Sequence, residues 1–174
     1  MSRPKNILGL KNVLIGPVGA DGGMGTTLTE ILGATVKGSA SLVLNEGTTT
    51  DVEIEETDVP YDQLDATPAK WLYQGESYNV SAKALSELGG GTLTAGTAGA
   101  PDSIDMDIPS AVEVSVATET QNGAKLDIAR MKLNIYPQFD FKKEAFGRVI
   151  FKGTPLKPTK AGTPTIKKTD APSA

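Results

Sequence analysis

Three carboxylates alternate along one short stretch of the chain, at Asp51, Glu53 and Glu55, with Asp58 close behind. Clustered carboxylates can bind a cation or act as a pair in general acid–base catalysis. On a strand, residues two apart point the same way but lie roughly 6–7 Å apart, too far to share one ion without other ligands. A second acidic group has similar spacing: Asp102, Asp105 and Asp107. For both groups a solvated strand face is the main interpretation, and an acidic wall along a passage is the more specific one.

Other sites are restricted by what the chain lacks. It contains no Cys and no His, which excludes disulfides, thiolate nucleophiles, imidazole triads and nearly every zinc site. The segment Gly19–Thr27 is rich in glycine but lacks the lysine of a phosphate-binding P-loop, so we interpret it as a flexible loop that contacts a partner. No catalytic, metal-binding or cofactor-binding residue is predicted, and we do not expect an enzyme.

The charge is distributed unevenly over the 174 residues. Residues 1–141 carry 9 Lys and Arg against 19 Asp and Glu, whereas residues 142–174 carry 8 against 2. An acidic body repels nucleic acid, which disfavours sequence-specific DNA binding. No apolar run approaches the roughly 20 residues that a membrane-spanning helix needs, so no membrane partner is expected.

Alternating apolar and polar residues predict a mainly β chain, and the clearest hairpin turns at Asn122-Gly123. A two-residue type I′ turn there places Glu113 opposite Lys132 and Val116 opposite Ala129. In this register one face of the hairpin is apolar, and opposite charges meet on the other face.

A second hairpin is predicted around Asn45-Glu46-Gly47, with the glycine in the left-handed position of a three-residue loop. This register places Leu42 opposite Thr50 and makes the three alternating carboxylates project from one side. Residues 56–68 then form a long loop, which we expect to order only against a neighbouring subunit. The candidate residues for that contact are Asp58, Tyr61, Asp62, Leu64 and Asp65.

The remaining elements complete an antiparallel β-sandwich or barrel-like domain over residues 13–153 with one short flanking helix. The helix is predicted at Asn79–Leu88, capped by Asn79 or Ser77; the alternative is that Tyr78–Ala84 continues as a strand. Residues 1–12 are predicted to be an N-terminal arm, and residues 154–174, rich in Lys, Pro and Thr, a flexible tail. Further strands are predicted at Val13–Val18, Ala69–Tyr73, Leu133–Phe141 and Arg148–Leu156.

The order of these parts resembles that of phage major tail tube proteins. The resemblance rests on the hairpin around Asn45-Glu46-Gly47, the acidic strand DVEIEETDVP, the helical segment that ends in KALSELGGGT, and the stretches AVEVSVATETQNGAKLDIARMKLNIYPQFDF and GRVIFKGTPLKP. Together they cover most of residues 36–158. The likeness is one of pattern and layout, without a catalytic signature.

The resemblance implies a virion protein that assembles, with itself and other tail proteins, into stacked rings, usually hexameric. DNA passes through the resulting tube without sequence-specific binding, and the protein is found in the virion tail, or in the host cytoplasm during assembly. An acidic lumen lined by the main hairpins marks Asp51, Glu53 and Glu55 as candidate lumen-facing residues. The alternatives are another ring or tube component of a tail or contractile injection system, or a carbohydrate-binding β-sandwich with Trp71 and Tyr73 as its platform.

Overall fold

The computed structural model describes residues 7–97 and 99–172. It is mainly β, with 49% of residues in strands and 5% in helix. The mainly antiparallel β fold with one short helix, predicted from the sequence, is therefore confirmed. In chain order the elements are β1 (Leu10–Pro17), β2 (Ser41–Asn45), β3 (Thr48–Ile54), β4 (Thr57–Thr67), β5 (Lys70–Ser77), α1 (Ala82–Gly89), β6 (Thr92–Thr94), β7 (Ser103–Asp105), β8 (Val112–Thr120), β9 (Lys125–Gln138), β10 (Arg148–Pro155) and β11 (Ile166–Thr169).

One seven-stranded sheet forms the body, in the order β1-β8-β9-β10-β5-β2, with β11 also paired to β9. The segment after β1 links distant parts of this sheet. Thr29 forms a bridge with Ile15 on β1, and Thr35 forms one with Ser77 on β5. This segment therefore ties β1, at one end of the sheet, to β5 near the other end. The arrangement is consistent with the β-sandwich-like fold that the sequence predicts.

The core lies on the inward faces of β8, β9 and β10. Alternate residues there have no exposed surface, among them Val116, Ile128, Leu133 and Phe151. The Phe151 ring packs against that of Tyr73 on β5, with centroids 5.9 Å apart. Burying each such side chain contributes about 1.5–3 kcal/mol, so these three strands anchor the fold.

The β8–β9 hairpin has the predicted register only in its outer half. Glu113 lies opposite Lys132 as predicted, but Val116 lies opposite Ile128, and the predicted pairing with Ala129 is wrong. A β-bulge separates the two halves, because β9 contributes two residues, Ala129 and Arg130, opposite Ser115 alone. The Ser115 hydroxyl donates to the Ala129 carbonyl at 2.6 Å. The turn is accordingly one residue longer than predicted.

Helix α1 is confirmed, though it begins later than predicted, at Ala82. Its N-cap is Ser81, whose hydroxyl accepts a hydrogen bond from the Ala84 N–H at 3.4 Å; Asn79 accepts one from the Ser81 N–H instead. Leu85 and Leu88 face the core from one side of the helix. The strand alternative for this segment is wrong.

The predicted hairpin around Asn45-Glu46-Gly47 is wrong, because β2 pairs with β5 and β3 pairs with β4. The two ladders follow one another, from Asn45 opposite Lys70 to Thr48 opposite Thr67. Together they form one long hairpin that turns at residues 55–56. Gly47 is needed for close approach rather than for a left-handed turn, since a Cβ there would collide with the carbonyl oxygen of Thr67.

Two segments predicted to be flexible are tied to the body. In the tail, β11 pairs with β9 and places Ile166 opposite Ile128 against the core. In the glycine-rich segment, the Gly25 N–H donates to the Ser115 hydroxyl at 2.9 Å, and Asp21 forms an ion pair with Lys160. Backbone pairing and these polar contacts stabilise segments whose own hydrophobicity is low.

Candidate functional site

We name residues 46–69, which carry β3, β4 and their turn, the acidic hairpin. Its strands pair only with each other among the described residues, so each leaves one edge without a neighbour. No described side chain on it is buried. A two-stranded hairpin is marginally stable alone in water, and an unpaired edge can accept a further strand.

The predicted loop at residues 56–68 is wrong, because β4 occupies most of it. The apolar residues of β4 change phase between Tyr61 and Leu64, so alternation does not predict this strand. Its pairing with β3 satisfies the backbone within one chain. All five candidate contact residues lie on β4 and are exposed: Asp58, Tyr61, Asp62, Leu64 and Asp65.

The candidate lumen-facing carboxylates begin on the opposite strand. Asp51 lies opposite Gln63, whose side-chain amide donates to the Asp51 carboxylate at 2.7 Å. Strand alternation places Glu53 on the same side as Asp51, whereas Glu55 lies in the turn. Asp65, opposite Thr49, shares the Asp51 face.

The other face of the acidic hairpin is more apolar. The register places Thr50 opposite Leu64 and Val52 opposite Asp62. Leu64 on this face is 58% exposed. Tyr61 lies two residues before Gln63, on the Asp51 face, and is 72% exposed. Large apolar side chains at such exposure, clustered on one feature, are typical of an interaction surface.

Electrostatically the acidic hairpin is one-sided. It carries eight carboxylates and no Lys or Arg: Glu46, Asp51, Glu53, Glu55, Glu56, Asp58, Asp62 and Asp65. By contrast, the body pairs some of its exposed charges, as Arg130 does with both carboxylate oxygens of Glu113. These hydrogen bonds hold the pKa of Glu113 below its ordinary value. The acidic hairpin is thus a concentrated source of negative potential.

The second acidic group has no common role. Asp102 accepts a hydrogen bond from the Gly96 N–H at 2.9 Å and stabilises its own loop, while Asp105 ends the short strand β7. Within the described part of the chain, no three acidic, His or Cys residues are placed to hold a metal ion.

The proposed carbohydrate platform is not formed. Tyr73 is 2% exposed, and its hydroxyl hydrogen-bonds to that of Thr118 at 3.0 Å. Burial raises the pKa of Tyr73. Trp71 is 41% exposed, so only one of the two rings is available for stacking.

A large open cavity of about 1630 Å³ lies beside Trp71 and was missed by sequence reasoning. Its apolar walls include Leu10, Leu42, Leu126 and Ile166. These residues come from β1, β2, β9 and β11, and no local pattern brings such distant segments together. Four lysines and one carboxylate line it as well: Lys11, Lys37, Lys125, Lys168 and Glu30.

No family model matches this chain, and a search of curated proteins finds no similar sequence. Among the described residues, no helix is long and apolar enough to cross a membrane.

Proposed function

We propose that this protein is a major tail tube subunit of a phage, a non-catalytic virion protein that assembles into stacked rings, usually hexameric in that family. The observation that carries the proposal is the acidic hairpin. It combines strand edges that pair with no other described strand, exposed apolar side chains, and eight carboxylates without a basic residue. An isolated two-stranded extension gains stability by pairing or packing against a neighbouring copy.

The acidic face suits the inside of a DNA passage. Asp51 and Glu53 project from one side of β3, and every copy in a ring would repeat them. Phosphate contacts with Lys or Arg release counterions and hold DNA, so a passage must avoid them. Carboxylates facing the lumen would repel the phosphates and so prevent the duplex from binding to the wall.

The same hairpin would suit another ring or tube component of a tail or contractile injection system, and this remains the second candidate. Both proposals require self-assembly in the host cytoplasm and, later, contacts with other tail proteins. The carbohydrate-binding alternative is not pursued, because Tyr73 is enclosed in the core.

The first experiment is negative-stain electron microscopy of the purified protein over a range of concentrations. We expect rings at intermediate concentration and tubes at high concentration. Dispersed single subunits at every concentration would contradict the proposal.

The lumen assignment is tested with Asp51→Lys and Glu53→Lys together in phage particles. Both side chains are exposed, so tubes should still assemble, while DNA ejection should slow and the defect should grow as salt is lowered. The matched control is Glu87→Lys with Glu144→Lys, two exposed carboxylates outside the acidic hairpin. Normal ejection at low salt would place the Asp51 face outside the lumen, and failed assembly would place it in a subunit interface.

A further inference from the structure

The open cavity in the body and the acidic hairpin are complementary in charge. Lysines predominate among the charged groups that line the cavity, and the hairpin carries only carboxylates. Neither Lys37 nor Lys125 forms an ion pair within the described residues. Both are exposed at the cavity and available to a negatively charged partner.

The two surfaces are also complementary in their apolar parts. Leu42, Leu126 and Ile166 line the cavity and are only partly buried. Tyr61 and Leu64 project from the acidic hairpin into solvent. Removing these apolar side chains from water would stabilise the contact.

The volume of the cavity indicates which class of molecule it binds. Small-molecule sites usually enclose about 300–1,000 Å³, and this cavity holds about 1630 Å³. A polypeptide segment fits this volume better than a small ligand does.

We propose that the acidic hairpin of one copy docks into the cavity of a second copy, with Leu64 against its apolar wall and the carboxylates near Lys37 and Lys125. This rests on the proposed self-assembly and names the contact through which it occurs. The hairpin and the cavity are different surfaces of one chain. Each copy therefore inserts its acidic hairpin into one neighbour and accepts the hairpin of another neighbour in its cavity. Such heterologous contacts generate rings where the rotation closes, and filaments where it does not.

The chain has no cysteine, which allows a direct test by disulfide trapping in whole chains. One preparation carries Leu64→Cys and a second, of different mass through a tag, carries Ser41→Cys in the cavity wall. The matched control replaces Ser41→Cys with Ser86→Cys, a partly buried serine on α1 outside the cavity. After mixing and mild oxidation, we expect the Leu64–Ser41 heterodimer to exceed the control by at least tenfold.

A second pair of variants tests the charges. Lys37→Glu with Lys125→Glu should lower the yield of the Leu64–Ser41 heterodimer by roughly tenfold at low salt, because two attractive charge contacts become repulsive. Lys142→Glu with Lys143→Glu makes the same charge change at exposed lysines away from the cavity. This control should leave the yield unchanged.

The outcomes separate this inference from the proposed function. Rings without excess Leu64–Ser41 heterodimer would leave the tube proposal standing and overturn the docking. Excess heterodimer without rings would support the docking and contradict the tube. A small molecule that stays bound to the wild-type chain in native mass spectrometry and blocks trapping would give the cavity another occupant and overturn the inference.

Discussion

The β8–β9 hairpin and the acidic hairpin share features of sequence, but the first is covered by the core and the second is exposed to solvent. Strand β3 alternates apolar and polar residues as β8 and β9 do, and both hairpins form antiparallel ladders. In β8–β9 the apolar face is covered, and Val116 and Ile128 have no exposed surface. In the acidic hairpin the corresponding face carries Leu64 at 58% exposure. The comparison shows that alternation specifies a two-faced strand, while the layer packed above it decides whether that strand is core or surface.

Their charges differ in the same way. Across β8–β9, Glu113 and Arg130 form a bidentate pair, whereas along the acidic hairpin carboxylates repeat without a counter-charge. Repeated like charge is destabilising in a lone hairpin. This contrast supports the proposal that the body folds by itself and that the acidic hairpin binds a partner.

The largest expected effect on stability lies in the covered region. Phe151→Ala removes a fully buried ring that packs on Tyr73, and should lower the free energy of unfolding by about 3–5 kcal/mol. Phe141→Ala is the control, since Phe141 is 96% exposed and should change it by less than about 0.5 kcal/mol. Denaturant titration measures both, and similar losses for the two variants would contradict the assigned core.

A smaller effect is expected at Gly75, where a Cβ would collide with the Phe151 ring. Gly75→Ala should cost about 1–3 kcal/mol of unfolding free energy through overpacking. Gly33→Ala is matched in chemistry, but the nearest atom to its added Cβ is 3.9 Å away, on Glu30, so it should be neutral or stabilise by about 0.4–1 kcal/mol. Effects of the same sign in both variants would contradict this packing.

The sequence predicted the covered region best where the information was local. Alternating residues fixed Glu113 opposite Lys132, since only that register keeps the apolar residues together. The bulge that follows lies opposite Ser115, whose hydroxyl donates to Ala129 and accepts from Gly25, ninety positions away along the chain. A contact of that separation leaves no local pattern.

The acidic hairpin was predicted as acidic and exposed, but with the wrong partner strand. Gly47 fits a turn glycine in sequence, whereas its role is to let Thr67 approach. The tail was misjudged for a related reason: Ile166 alone has too little hydrophobicity to predict order, and its strand exists because β9 offers an edge beside Ile128. The cavity could not be predicted from local sequence either, because its walls come from several elements that are distant along the chain.

The comparison also predicts that the stability of the body depends on pH. Hydrogen bonds from Arg130 lower the pKa of Glu113 below its ordinary value of 4.5, so folding favours the ionised form. The stabilisation is present above pH 4.5 and is lost as the pH falls through the folded pKa. Glu113→Gln should thus lower the melting temperature more at pH 7 than at pH 3. In an Arg130→Gln background this difference should disappear; if it persists, another group is responsible.

The smallest effect on stability is expected where the effect on assembly is largest. Tyr61 and Leu64 are mostly exposed, so Tyr61→Ser with Leu64→Ser should change the unfolding free energy of the single subunit by no more than about 0.5 kcal/mol. The same pair should abolish rings and tubes, because apolar contact between copies is lost. Phe141→Ser with Ile108→Ser removes two side chains that are 96% and 93% exposed elsewhere on the body, and assembly should survive it. Analytical ultracentrifugation and microscopy measure assembly, and denaturation at low concentration measures the subunit. A loss above about 1 kcal/mol in the isolated subunit would mean that the acidic hairpin packs on its own body, and the contrast between the two hairpins would then fail.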